Sequence, residues 1–596
     1  MLDTSIPVPR DFEHRTAEEY EAYKKSISYQ LKNRIIPAFL VGVVALLVCW
    51  GLFNFGKNCI YKPLRAVSLY KQGYNLLQAS AYPQSEMKFN EATKYRLNKT
   101  WFFNYARGYR EHKQYQRAEA MYENILYCFK HDKQAGLEYA DMELDDLANY
   151  EKAEEIVRRQ VLDYHINDPD GILKLGDIFL EWGTEKDPEK LDLAMEQYAH
   201  LIERNGITDL YESRLMRYYI RKDELSQVLY YKEKFTEREK SLGGEDWTEL
   251  SGYLLDKLYG NLAPSEEYLR EKIEDVLKLL NRAIKLDGDN PVAYYNLGNY
   301  YVRTNDSAYV EASLQQAVEK FNDAPHLKRR DIYKYIDSYR LLGENYIKTM
   351  DVLRAQEEYS KGISIYTKEK EIAGFEGNEQ IGHLYADLAD INYFAAADYD
   401  TALNNYEEGI ALGYDNQKIR YRLGYIHYNS KDYGHALGEF MKAGEGIKKE
   451  QNLLLAMGNT LSLRSDDYAA EGYYEQLVSE LSETIAENSG SIFPQTSVVD
   501  ADLITTYLYA TNNYGVSMYR LAKRTGDSSK NAQAIIQLQQ SLKAWDSLTR
   551  DQKSLLRLDG SNLAQENIKY IVSPITEFEP SIYNVIPKTL TDNENL

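Results

Sequence analysis

Tyr421, Tyr425 and Tyr428 fall in the run KIRYRLGYIHY at positions i, i+4 and i+7, which aligns three phenol rings on one helical face. The chemistry of such a stripe is recognition. Each ring covers a large area at low side-chain entropy cost and carries a hydroxyl that needs a partner when buried. The competing use of the same rings is packing against a neighbouring helical hairpin. Tyr295 and Asn299 occupy the equivalent face of an earlier helix, and Arg107 and Arg110 do so nearer the N-terminus. These seven residues are the candidate partner-binding positions. His427 and His435 lie on the two helices of one hairpin. They make a poor metal pair, because solvated histidines are far commoner than ligands. There is no HExxH, CxxC pair, GxxxxGK[ST] or GxGxxG. No catalytic, cofactor-binding or metal residue is assigned, and the expectation is a protein that is not an enzyme and needs no cofactor.

The elements that must hold these faces repeat along the chain. Within residues 281–317, Tyr294, Leu297, Gly298 and Tyr301 are followed by Val310, Leu314 and Ala317. This spacing resembles the 34-residue helix–turn–helix unit of the tetratricopeptide (TPR) type. The small residue in the first helix lets the second approach closely. The aromatic and alanine positions fill the space between successive hairpins. Tyr339, Leu342, Gly343 and Tyr346 repeat it with Ala355 and Tyr359. So do Tyr385, Leu388 and Ala389 with Ala402 and Tyr406, and Leu423 and Gly424 with Ala436, Phe440 and Ala443. Gly458 and Leu461 lead in the same way to Ala470 and Tyr474, and weaker copies reach back to Gly73. The implied fold is all-α: a TPR-type helical-hairpin solenoid, a class that usually binds rather than catalyses. TPR units that clamp a chaperone's C-terminal carboxylate carry Lys or Arg four residues before an Asn, with a second Asn in the next unit. Here Tyr295 precedes Asn299 and Leu341 stands at the second site, so that clamp is not expected.

Residues 35–53 read IIPAFLVGVVALLVCWGLF without a charge. Extended to Phe55 the run spans about 31 Å as a helix, enough to cross a bilayer. A buried core helix fits poorly, since nothing else in the chain is as apolar. No small-x-small cleavage site follows the run, so an uncleaved transmembrane anchor is expected. Arg15, Lys24, Lys25, Lys32 and Arg34 precede it, against four basic residues in 57–76. This bias keeps the N-terminus in the cytoplasm and puts the array in the periplasm. The expected layout is a cytoplasmic tail (1–34), a transmembrane helix (35–56), a linker (57–66), the solenoid (67–482), a loop (483–505), a terminal helical pair (506–560) and an irregular tail (561–596). The tail carries Pro574, Pro580 and Pro587 among isolated apolar residues. It reads as an extended peptide that docks on a partner, or as a capping strand across the last repeat.

Composition narrows the partners. The formal net charge of −21 repels phosphate backbones, so nucleic acid is not an expected partner. The acidic runs at 143–146 and 151–155 read as solvated helix faces. Tyrosine outnumbers phenylalanine 54 to 16, so most rings are expected in repeat-core positions with the hydroxyl at the edge. A short cytoplasmic tail, one span and a Tyr-rich acidic array also resemble, in architecture and general sequence character, the TPR subunits of spirochaetal periplasmic flagellar collars. That resemblance implies a scaffold at the inner membrane. It would recruit collar, motor or stator proteins, support motility, and be able to self-associate within the assembly. The alternative is a periplasmic chaperone-type adaptor for envelope or secretion assembly.

Overall fold

The computed structural model describes residues 17–237, 242–324, 326–445, 450–493, 501–555, 562–574, 578–592 and 594. Every regular element among the described residues is helical. The chain divides into two units, Met1–Arg221 and Lys222–Leu596.

In the first unit one continuous helix runs from Ile27 to Gln78. Its apolar stretch packs against no other described residues, with Phe39, Leu46, Trp50 and Phe53 all about two-thirds exposed or more. Its far end buries Ala66, Leu69, Tyr70, Gly73 and Leu77 against the helix Tyr82–Thr93. The residues read from sequence as a linker are therefore helical, and the apolar stretch and the first array helix are one element. Hairpins follow from Lys99–Glu111 with Tyr115–Cys128 and from Pro169–Glu185 with Lys190–Asn205. Between them, Lys133–Asp141 and Tyr150–Ile156 pair with π-helical turns at their ends.

The second unit continues the pattern. Gly244–Asp256 packs on Val276–Leu286, Pro291–Thr304 on Ser307–Asp323, and Arg329–Lys348 on Val352–Ala373. Glu379–Ile391 then packs on Tyr399–Ala411, Gln417–Asn429 on Tyr433–Ala443, and Gln451–Leu463 on Asp467–Ser489. Ala501–Thr525 and Ser528–Ser547 form the last long hairpin, followed by Arg550–Leu555 and Leu563–Val572. Helix thus extends to Ser489 and resumes at Ala501 where a loop over 483–505 was expected; residues 494–500 lie outside the described residues.

Each hairpin closes on a small residue in its first helix. A Cβ on Gly343 would lie 2.1 Å from the Tyr359 ring, on Gly424 2.5 Å from Phe440, and on Gly458 2.6 Å from Tyr474. In three hairpins the residue after that small position anchors a tyrosine of the second helix. Tyr198, Tyr406 and Tyr474 donate their hydroxyls to Asp177, Asp390 and Asn459 at 2.8, 2.6 and 2.7 Å. Those acceptors directly follow Gly176, Ala389 and Gly458. A buried hydroxyl without a partner would cost about 1–3 kcal/mol, so ring and acceptor come as a pair. Where Tyr425 follows Gly424, no acceptor is on offer and the facing ring is Phe440.

Three turns between the two helices of a hairpin share one device. Met350, Ala397 and Lys431 adopt left-handed backbone, at φ of 62°, 51° and 66°. Each is followed by an Asp whose carboxylate accepts from a backbone N–H three residues on. This N-cap satisfies one of the orphan donors of the second helix.

Candidate protein-binding groove

The seven candidate residues have different fates. Arg107 donates to Glu138 at 2.9 Å, and Arg110 to Asp146 at 2.6 Å. Both cations are therefore held by carboxylates of the following hairpin. The Tyr295 hydroxyl donates to buried Asp337 at 2.8 Å and has a side-chain hydrogen bond with Asn299. Asp337 also accepts from Arg340 at 2.7 Å. Tyr295 and Asn299 are thus tied into a polar seam with the next hairpin.

The tyrosine stripe is different, because it faces a segment of its own chain. Residues 578–592 carry no helix and no strand. They run along the inner helices of four successive hairpins. The Tyr421 hydroxyl donates to the Pro587 carbonyl at 2.9 Å, and Tyr428 to the Asn584 carbonyl at 2.9 Å. Tyr393, absent from the sequence-derived set, donates to the Lys588 carbonyl at 2.6 Å. Tyr425 instead packs edge-on to Tyr393, with ring centroids 5.7 Å apart. Asparagines continue the track. Asn452 donates to the Thr589 carbonyl at 3.1 Å, and Asn459 to those of Tyr583 and Val585 at 3.0 and 3.3 Å. Asn513 donates to the Tyr583 carbonyl and accepts its N–H, at 2.8 and 2.7 Å. Asn512 and Asn567 meet at the Ser581 carbonyl, at 3.3 and 2.9 Å, and Arg520 reaches the Pro580 carbonyl at 3.2 Å.

The carbonyls of Ile582 and Ile586 are absent from this track, and their side chains point inward. Ile582 packs with Val516, Leu538 and Ala564. Ile586 and Leu590 pack with Tyr421, Tyr428, Phe440 and Met457. At the far end Arg422 bridges Glu594 at 2.8 Å and Asp390 at 2.5 Å. Burial raises the pKa of the Tyr421 and Tyr428 phenols, so both stay neutral donors at ordinary pH.

Two other clusters are held by polar side chains of their own hairpins. Ligand atoms of Glu344, His383 and Asp387 lie within 4.8 Å of one another. The Arg340 guanidinium sits 3.2 Å from Glu344 and 3.9 Å from Asp387 and supplies the positive charge there. The rings of His427 and His435 are 5.4 Å apart, and His435 is engaged by Asp432 at 2.6 Å.

The acidic run 143–146 requires a correction. Glu143 and Asp146 are buried, not solvated, because the π-helical turn Met142–Asp146 directs them inward. Glu143 lies 3.1 Å from Lys152, and Asp146 meets Arg110. Burial pushes Glu143 up to about 7, with Asn149 opposing and Asp146 and Glu123 adding. Burial pushes Asp146 to about 7 as well, against the pull of Arg110. Both then exceed the unfolded range near pH 4. The folded state holds protons that the unfolded chain releases between about pH 4 and 7, so stability rises as pH falls through that window. Thermal melts of the array from Lys57 onward should therefore show the first unit more stable at pH 5.5 than at pH 8. Glu143→Gln with Asp146→Asn should flatten that difference; an unchanged pH slope would assign it to other groups.

No protein-family profile matches the chain, and no curated protein matches it in sequence. Among solved structures, human IFIT1, solved as a dimer with PPP-AAAA, aligns at 14% identity and a TM-score of 0.36 over 68% of this chain and 89% of that one. Yeast Tom70 aligns at 14% identity and a TM-score of 0.26, over 86% of this chain and 98% of its own. The C-terminal part of a TPR repeat-containing protein from Cytophaga hutchinsonii aligns at 15% and 0.30, covering 48% and 98%.

Proposed function

We propose that this protein is a membrane-anchored TPR scaffold that holds other proteins together in a large envelope complex. The observation that carries the reading is the single helix Ile27–Gln78. Its apolar stretch is exposed, and its C-terminal turns are built into the first hairpin. In water such an apolar surface is a liability far beyond the patches soluble monomers tolerate. In a bilayer it is an anchor that passes rigidly into the array. The basic residues before it orient the N-terminus to the cytoplasm and the array to the periplasm. Within that reading, the layout of tail, span and Tyr-rich acidic array supports a collar subunit of periplasmic flagella, with motor or stator proteins as partners.

Topology and partnership are tested together. Protease added to spheroplasts should degrade the array and leave a short membrane-bound stub; survival of the whole 69.1 kDa chain would overturn the periplasmic assignment. Cross-linking in native membranes should capture the chain in fixed stoichiometry with a large complex. Transient, client-dependent contacts would favour the adaptor alternative.

A further inference from the structure

We propose that the groove between Tyr393 and Asn513 is a receptor for an extended peptide that reads its ligand mainly through the backbone. In this reading segment 578–592 is the resident ligand, and a partner enters by presenting an extended segment that displaces it. The inference rests on the scaffold reading and names the partner chemistry of this groove.

Three observations carry it. First, side chains of the groove bond to the carbonyls of eight of the ten residues from Pro580 to Thr589. Main-chain contacts of this kind give affinity without fixing most of the ligand's sequence. Second, the requirements on the ligand's side chains are few and regular. The groove takes apolar residues at Ile582, Ile586 and Leu590, four apart, and an acidic group at Arg422. Pro580 and Pro587 remove backbone donors and disfavour a helix with the same spacing. Third, the groove cannot stand dry and empty at low cost. Asn459, Asn512 and Asn513 are fully buried, and uncovering them demands another occupant or water. A segment that satisfies them in the resting chain, and a partner that takes over the same bonds, meets that demand throughout. The fitting partner is an unfolded stretch of protein with apolar residues at i, i+4 and i+8, proline at or beside them, and a carboxylate near the end that meets Arg422.

The probe is a fluorescent peptide with the sequence of residues 578–594, added to the full chain in detergent. Ile582→Asp with Ile586→Asp should eject the resident segment and leave the groove intact. That variant should bind the peptide at least tenfold more tightly than the native chain, and adding Asn452→Ala and Tyr421→Phe should abolish the gain. Equal binding by native and variant chains, weak or tight, would overturn the proposal. If the double variant loses helicity, a chain cleaved between Pro574 and Phe578 decides instead. Exchange of its resident peptide for the labelled copy, with the array still helical, supports the proposal; permanent retention, or collapse of the array on exchange, refutes it. If exchange fails while cross-linking still captures partners in fixed stoichiometry, the scaffold reading stands and the partner uses another face.

Discussion

Replacing Asn459 with leucine is expected to cost about 3 kcal/mol or more and to free segment 578–592. The amide of Asn459 makes four bonds at once. It donates to the carbonyls of Tyr583 and Val585, and it accepts from the Tyr474 hydroxyl at 2.7 Å and the Asn513 amide at 2.8 Å. Leucine is of similar size but leaves the Tyr474 and Asn513 donors without this acceptor in a dry site, where each lost partner costs about 1–3 kcal/mol. Because helical repeats contact mainly their neighbours, the loss should centre on 417–525 and spare the first unit. Denaturant unfolding gives the cost, and limited proteolysis followed by mass spectrometry gives the place. A cost below about 1 kcal/mol, or cleavage spread along the whole array, would show that Asn459 does not join hairpin and segment.

The second large effect is steric. A Cβ on Gly382 would lie 2.7 Å from the Gly409 carbonyl oxygen, and one on Gly409 would lie 2.9 Å from the Gly382 carbonyl. Two backbones touch there, so no rotamer change relieves the clash. Gly382→Val should cost about 3 kcal/mol or more, at or beyond the usual range for overpacking. Gly298→Leu, where the obstacle is the movable Leu314 side chain, should cost less, about 1–3 kcal/mol. Gly438 is the control. It lies inside the helix Tyr433–Ala443 with nothing within 4 Å of its missing Cβ. Gly438→Ala should stabilise by up to about 1 kcal/mol through helix propensity alone. Melting temperatures ranked G438A, native, G298L, G382V would bear this out, and a destabilised G438A would contradict it.

The hairpins were legible because their signal is local. A small residue, its flanking aromatics and the alanine of the second helix lie within one repeat, and their spacing is a direct image of two helices in contact. The partners of those aromatics were less legible. The acceptor that holds Tyr198, Tyr406 and Tyr474 is the residue directly after the small one, a regularity visible in Gly176-Asp177, Ala389-Asp390 and Gly458-Asn459 once the ring's need for a partner is asked. Arg107 and Arg110 align on one helical face, yet their counter-charges Glu138 and Asp146 sit about one repeat further on. A search for opposite charges one repeat apart finds them. The acidic run 143–146 misled because a π-helical turn, which leaves no periodic signature, rotates its carboxylates inward.

The occupant of the tyrosine stripe was hidden for a different reason. Pairing Asn459 with Tyr583 spans 124 positions, and nothing in the spacing of either segment encodes the other. The segment's inward apolar residues, Ile582, Ile586 and Leu590, recur every fourth position, which mimics a helix, and Pro580 and Pro587 argue against one. Its alternatives of docking on a partner or capping the last repeat did not include lying along four hairpins of its own array. The groove reads carbonyls, and every residue has a carbonyl, so the ligand's sequence carries little trace of the site.

The most direct measurement places a photoreactive benzophenone side chain at position 428 of the full chain. The Tyr428 hydroxyl touches the Asn584 carbonyl, and its ring packs in the cluster that holds Ile586. Illumination of the purified protein, digestion and mass spectrometry should map a cross-link within the same chain to residues 582–586. Cross-links confined to neighbouring helices, with none on the 578–592 segment, would contradict the account and return the tyrosine stripe to packing between hairpins.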